Sequence, residues 1–544
     1  MTELRHKSNR HIVKRIIVRG TLILDTPTCL GSGDTDSPTD LALLRDSISN
    51  DALLIGSSIA GALRNYLREQ NKGYGESDTR HDIATKLFGD LFSYKNEQNE
   101  SETKRIELRE QDTQSSLIID DAISTQPIQS ELRDGVKINS MTRTAAAQAK
   151  YDLELLQAGT EFPLCFELLI EAEDRKITLI KAIATEMQLA ETNYFSNFFF
   201  KWLAYRYKNK ATLLKSLAIA LSGLQQGEIS LGMKKRRGFG RCHVKEWQVW
   251  YFNLEDANDR ILWLNFEHWR TGFIPIFNVY TSIREGLTQA GLQVAEDWED
   301  KRDRFTIQAT FKLVSSLLIR SGQAETGRAP DVVHLKSHRQ GKTDPESILS
   351  GTSLAGVLRH RAERIVNTLE KPTTIIDEIF GPDFSQDKTK KAKASRLIVH
   401  ETTINHTTDL VQTRIAIDRF TGGAYHGALF QEQPVFANDE TELKLEIELR
   451  NPIEHEIGLL LLLLKDLWTE DLPVGGSSSV GRGRLQGIKA DLIWTKEQKS
   501  WKIAQPDLSK NSLEITGSDR QDLENYVNRL VEYAQQETTK NDQA

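Results

Sequence analysis

The sequence predicts an α+β protein built from two tandem ferredoxin-like units of the kind found in RNA-recognition modules. Two observations lead there. "IGSSIAGALR" at 55–64 and "SGTSLAGVLR" at 350–359 share Gly, Ser, Ala, Gly, Leu and Arg at identical spacing. "GMKKRRGFGR" from Gly232 and "GGSSSVGRGR" from Gly475 both read G-x5-G-x-G-R. Between these anchors further matches keep the same order: "KLFGD" (86–90) with "EIFGP" (378–382), "SSLIID" (115–120) with "SRLIVH" (395–400), and "INSMTRTAA" (138–146) with "IAIDRFTGG" (415–423). Matches in one order indicate an internal duplication.

Each copy opens with a strand, "VKRIIVRGTLIL" (13–24) or "RFTIQATFKLVS" (304–315). Phe305, Ile307, Ala309, Phe311 and Leu313 alternate, as in a half-buried strand. A polar loop and the G-[ST]-S-x-A-G helix start follow, with Ser57, Ser58, Thr352 and Ser353 as N-cap candidates. "PLCFELLI" (163–170) and "ELKLEIEL" (442–449) alternate again. An apolar helix, at 211–224 or 456–468, precedes the glycine loop and a closing strand. Strand, helix, strands, helix, strand is the ferredoxin-like order, and its open sheet face is a common platform for single-stranded RNA. The expected division is 12–248 and 304–490 for the units, 249–303 for a folded connector and 491–544 for a C-terminal extension with one short helix before it frays. Residues 90–114 are charged and polar and read as a mobile insertion.

The net charge of −7 over 544 residues announces no nucleic-acid binder, but charge gathered in one groove escapes that test. Cys29, Cys165 and Cys242 lack metal-type or paired spacing, which speaks for a reducing, cytoplasmic setting. The longest apolar run, 457–464, is too short to span a bilayer.

Lys234, Lys235, Arg236, Arg237 and Arg241 surround Gly238 and Gly240; Gly481, Arg482, Gly483 and Arg484 stand in the second copy. Exposed amides plus cations suit a phosphate chain. A tight turn beside a solvated charge run is the alternative. Helix starts at Ser57/Ser58 and Thr352/Ser353 offer N–H groups to phosphate. Arg64 and Arg359, two turns in, either point at RNA or pair with a carboxylate.

These motifs together resemble the RAMP superfamily of CRISPR-associated proteins. Within it they look like backbone subunits of type III effector complexes, two fused in one chain as in type III-D-like systems. The family helix often carries lysine where this chain has Ala60 and Ala355. The resemblance implies stacking along a CRISPR guide RNA beside other RAMP backbone subunits and a polymerase-like large subunit. It implies pairing with a single-stranded target RNA, and a protruding thumb hairpin in each unit, here 122–137 and 401–414, with Ile123, Ile128, Ile404 and Leu410 as apolar candidates. It also implies target cleavage by an aspartate in the loop before the helix. Asp36 in "TDSP", flanked by Asp34 and Asp40, and Asp331 in "APDVV" fill that place and would hold a divalent ion, Mg or Mn. Two further readings compete: a scaffold without catalysis, and an endonuclease that processes precursor CRISPR RNA with a histidine base, for which His334 and His338 are the candidates.

Overall fold

The computed structural model describes residues 10–541 apart from 33–41, 81, 92–93, 95–100, 103, 105–111, 140–141, 143, 173–209, 271, 322–329, 371–372, 385–388 and 507–511. In the first half, strand β1 (Ile12–Leu24) leads to helices α1 (Gly56–Lys72) and α2 (Ile83–Phe88), then to strand β2 (Leu117–Ile119). A hairpin, β3 (Ser130–Ile138) and β4 (Ala145–Leu156), precedes β5 (Glu161–Glu171), helix α3 (Lys210–Gln225) and β6 (Cys242–Asn253). The sheet order is β2-β5-β1-β6, antiparallel throughout. Leaving the hairpin aside, this is β-α-β-β-α-β with the first and third strands central, the ferredoxin-like arrangement. Alternation produces it: Ile16, Val18, Phe162, Leu164, Phe166 and Leu168 all point into one core with α1 and α3.

The connector carries α4 (Ala257–Leu264) and α5 (Ile283–Gln289). The second half repeats the plan. Strand β7 (Arg304–Leu313), helices α6 (Gly351–Thr368) and α7 (Thr374–Phe380) and strand β8 (Leu397–Val399) come first. A small hairpin follows, β9 (Gln412–Arg414) with β10 (Phe430–Gln433), then β11 (Glu442–Arg450), α8 (Glu454–Trp468) and β12 (Leu485–Trp494). Strands β13 (Lys499–Ala504) and β14 (Glu514–Gly517) and helix α9 (Arg520–Asn541) end the chain. The second sheet runs β8-β11-β7-β12-β13-β14, so its first four strands match the first sheet position by position. The duplication read from the sequence is a duplication of topology.

Several expectations shift. The C-terminal extension is larger than one short helix: β13 and β14 widen the second sheet, and Tyr526 and Leu530 of α9 enter its core. The inserted hairpins begin inside the expected thumb segments and extend C-terminal to them, at 130–156 and 412–433. Ile404 is buried in the second core, while Leu410 is exposed. Most of the 90–114 insertion lies outside the described residues; of the rest, Tyr94 is buried and hydrogen-bonds Asp90. Among the described residues no helix is long and apolar enough to cross a membrane.

Candidate nucleic-acid interface

The two glycine loops have one backbone. Gly232, Lys234, Gly238 and Gly240 all have positive φ, and so do Gly475, Ser477, Gly481 and Gly483. A single 3-10 turn, Lys235–Arg237 or Ser478–Val480, sits inside each. A Cβ on Gly240 would lie 1.8 Å from the Leu231 carbonyl oxygen, and one on Gly483 1.8 Å from that of Val474. Only glycine fits there. The loop amides are largely used internally: Gly240 N–H donates to Pro27 O at 3.1 Å and Gly483 N–H to Ser316 O at 2.7 Å. The four glycines of the expected phosphate cradle, Gly238, Gly240, Gly481 and Gly483, therefore shape a turn; the side chains around it are left to meet a ligand.

The helix starts are likewise satisfied from within. The N-cap of α1 is Ile55, not Ser57 or Ser58, and the Asp121 carboxylate accepts from Gly56 N–H at 2.6 Å. The N-cap of α6 is Ser350, whose hydroxyl accepts from Ser353 N–H, so Thr352 and Ser353 lie inside the first turn. The reason is steric. Gly56 and Gly351 must open the helices, because a Cβ there would lie 2.4 Å from Ile119 O or Val399 O on the adjacent strand. Ser57 and Ser58 remain exposed at the surface.

The arginines divide by role. Arg64 donates to Gly89 O at 2.7 Å, and Arg359 to Gly381 O at 2.7 Å and to Asp377 at 3.1 Å. Each braces the "FG" turn of its own copy, so the carboxylate or carbonyl partner, not RNA, is what the structure gives them. Arg482 is buried against Glu432 at 2.9 Å and Gln412 at 2.7 Å. Arg484 is exposed, 3.9 Å from Glu470.

The first loop's cations behave differently, because the second unit packs over them. A Cβ on Gly238 would lie 2.4 Å from Glu401 N, and one on Gly351 2.3 Å from Arg237 O. Arg241 pairs with Glu446 of the second sheet at 2.9 Å. Lys234 lies 3.7 Å from the Tyr151 ring centre on β4, and Arg237 reaches Phe380 O at 3.4 Å. The hairpin reaches across as well: Arg133 bridges Glu131 and Glu401, Arg339 joins Glu401 at 2.6 Å, and Glu131 accepts from Ser337 and His338.

Between the units lies a cleft of about 680 Å³. One wall is α1, with Ser58, Gly61, Asn65 and Glu69; another is the loop, with Lys235, Arg236 and Arg241; the third is the second sheet, with Arg304, Glu446, Glu448 and Arg450. The Arg236 Nη1 is buried without a hydrogen-bond partner. Burial, and then Arg450 beside it, push the Arg236 pKa down to about 10. Lys235 is lowered too, by burial and by Arg236. A cation under this strain gains most from an anion.

Asp36, with Asp34 and Asp40, lies outside the described residues. Asp331 is exposed, and its Oδ2 accepts from Gln431 N–H of β10 at 2.7 Å. Among the described residues no group of three or more His, Cys, Asp or Glu side chains is gathered to hold a metal ion. Among the described residues, the donors around Asp331 do not by themselves fit a divalent ion, which prefers several oxygen ligands. His334 is no general base: it is buried, its Nδ1 accepts from Ile319 N–H at 3.2 Å, and its Nε2 meets Ile348 O at 3.1 Å. Sequence reasoning missed Arg133, Glu131 and Glu401, whose partners lie across the junction; no local pattern marks them.

No curated protein matches the chain. The family model of the RAMP superfamily matches residues 21–243 and 310–486, one match per unit and more than half of the chain. The chain belongs to the RAMP superfamily, and with it to the CRISPR-associated RNA-binding subunits.

Proposed function

We propose that the chain is a type III backbone subunit that holds a CRISPR guide RNA across its two units, with phosphates in the inter-unit cleft. The observation that carries this is Arg236, half-buried, with Nη1 unpartnered, in a cleft that opens beside the exposed Ser57 and Ser58. A phosphodiester oxygen supplies the acceptor that the Arg236 Nη1 lacks. Cleavage of a paired target at Asp36 and Asp331 is the further part of the reading, and rests on their position in the loops before the helices.

The test is single-stranded RNA binding across a salt series. Lys235→Glu with Arg236→Glu should weaken binding at least tenfold and reduce the slope of log affinity on log salt by roughly 0.7 per lost phosphate contact. Unchanged affinity and slope reject the cleft as the RNA path. For cleavage, Asp36→Ala and Asp331→Ala should each remove one product from a labelled target while guide binding persists. A double variant cutting like the parent leaves a binding scaffold alone.

A further inference from the structure

The duplication shows where the two units diverge. Matched strand ends carry the same backbone contact. Asp120 N–H, just after β2, donates to Cys165 O of β5 at 3.2 Å; His400 N–H, just after β8, donates to Glu446 O of β11 at 3.1 Å. One position of the repeat therefore holds an exposed acid in the first unit and a half-buried histidine in the second. The first glycine loop seats against that histidine: a Cβ on Gly238 would lie 2.4 Å from Glu401 N and 3.1 Å from the His400 carbonyl carbon.

His400 lines the inter-unit cleft, on the wall that the second unit supplies. Its Nδ1 is buried and, among the described residues, has no hydrogen-bond partner; the same holds for Arg236 Nη1 on the first unit's wall. The charged groups around the imidazole are Glu446, Glu448 and Arg450 of β11 and Arg241 of the first loop. They are already matched to one another, Glu446 with Arg241 and Glu448 with Arg450, each at 2.9 Å. None of these carboxylates is left over for an imidazolium. Arg450 and Glu448 also act on Arg236, so the two orphaned nitrogens share one electrostatic neighbourhood. Burial, the largest influence, holds the His400 pKa below its ordinary 6.5.

We propose that His400 is the second unit's phosphate ligand in the cleft: a phosphodiester held by Arg236 on one side draws a proton from solvent onto His400 on the other, so that RNA binding and proton uptake are one event. A carboxylate at that place, as Asp120 is in the first unit, would repel the same phosphate. A phosphodiester does not itself titrate near neutral pH, so the pH dependence belongs to the protein. Its sign follows from the charges. The empty cleft disfavours the imidazolium and a bound anion favours it, so binding takes up a proton and affinity rises as pH falls. The inference deepens the guide-RNA reading of the cleft and rests on it.

The test uses the full chain and a labelled single-stranded RNA at fixed ionic strength. From pH 8 to pH 6 the parent should bind about fivefold more tightly, since one added proton is shared between ligand and site. His400→Gln should lose that gain, and His400→Arg, charged throughout, should bind with little dependence on pH. Calorimetry of the parent at pH 7 in two buffers of different ionisation enthalpy should show protons taken up on binding, and His400→Gln should take up fewer. A His400→Gln profile as steep as the parent's overturns the proposal, as does a parent that neither gains affinity nor takes up protons. The two readings fail separately. If Lys235→Glu with Arg236→Glu leaves affinity and salt slope unchanged, the cleft is not the RNA path. If those substitutions weaken binding while parent and His400→Gln keep one pH profile, the cleft stands and His400 is no ligand in it.

Discussion

Among the glycines, Gly240, Gly483 and Gly481 separate two effects that a motif merges. All three have positive φ. At Gly481 an added methyl meets open space, so Gly481→Ala pays only the left-handed backbone penalty, roughly 1–2 kcal/mol. At Gly240 and Gly483 the methyl also runs into a carbonyl oxygen at 1.8 Å, so alanine there should cost at least about 3 kcal/mol. Urea unfolding of the three variants checks the order; equal losses reject the steric account. His334 makes a second prediction. Burial lowers its pKa to about 4, while the unfolded side chain titrates near its ordinary 6.5. A depressed folded pKa means that the unfolded chain binds the proton first, so this histidine's stability is present above pH 6.5 and is lost as pH falls toward 4, by roughly 3 kcal/mol in full. Melting temperatures from pH 7 to pH 5 should fall less steeply for His334→Gln than for the parent.

Within each unit, helix and turn are locked by one arginine. Arg64 ties α1 to the carbonyl of Gly89, just past α2, and Arg359 ties α6 to that of Gly381, just past α7. The repeated Arg of the opening motif and the repeated "FG" are thus two ends of one contact, which explains why both recur. Arg64→Ala leaves Gly89 O and Asp78 without it and should destabilise the first unit by about 1–3 kcal/mol. RNA affinity, measured well below the melting temperature, should stay within about twofold. A large affinity loss in a folded variant would return Arg64 to the RNA.

Across the whole molecule, the junction is a buried ionic network, not an apolar seam. Glu131, Arg133 and Glu401 are all buried, and Arg339 completes them. Removing one partner leaves a charge buried without compensation, which costs about 3–5 kcal/mol. Calorimetry of the parent should show the units melting together, because Arg237 and Gly351 are in backbone contact and the network links the hairpin to the second unit. Arg133→Ala should separate the units into two transitions. A single unshifted transition would mean that the network does not couple them.

The sequence by itself determined the duplicated α+β plan, the strand and helix order of each copy and the family. Alternation and glycine spacing are local, and they repeat because both copies solve the same packing problem. The C-terminal strands β13 and β14 were not legible, because their pairing depends on the open edge of β12, far from any repeat. Tertiary structure alone decided what each repeated residue does. Arg241 and Arg484 are the same letter in the same motif, yet one faces Glu446 across the junction and the other faces solvent. The sequence offers Lys235 and Arg236 to a phosphate chain but does not record that the second unit brings Arg450 and Glu448 beside Arg236. Desolvation and charge pairing are set by whatever surface arrives from elsewhere in the chain, and no local spacing records it.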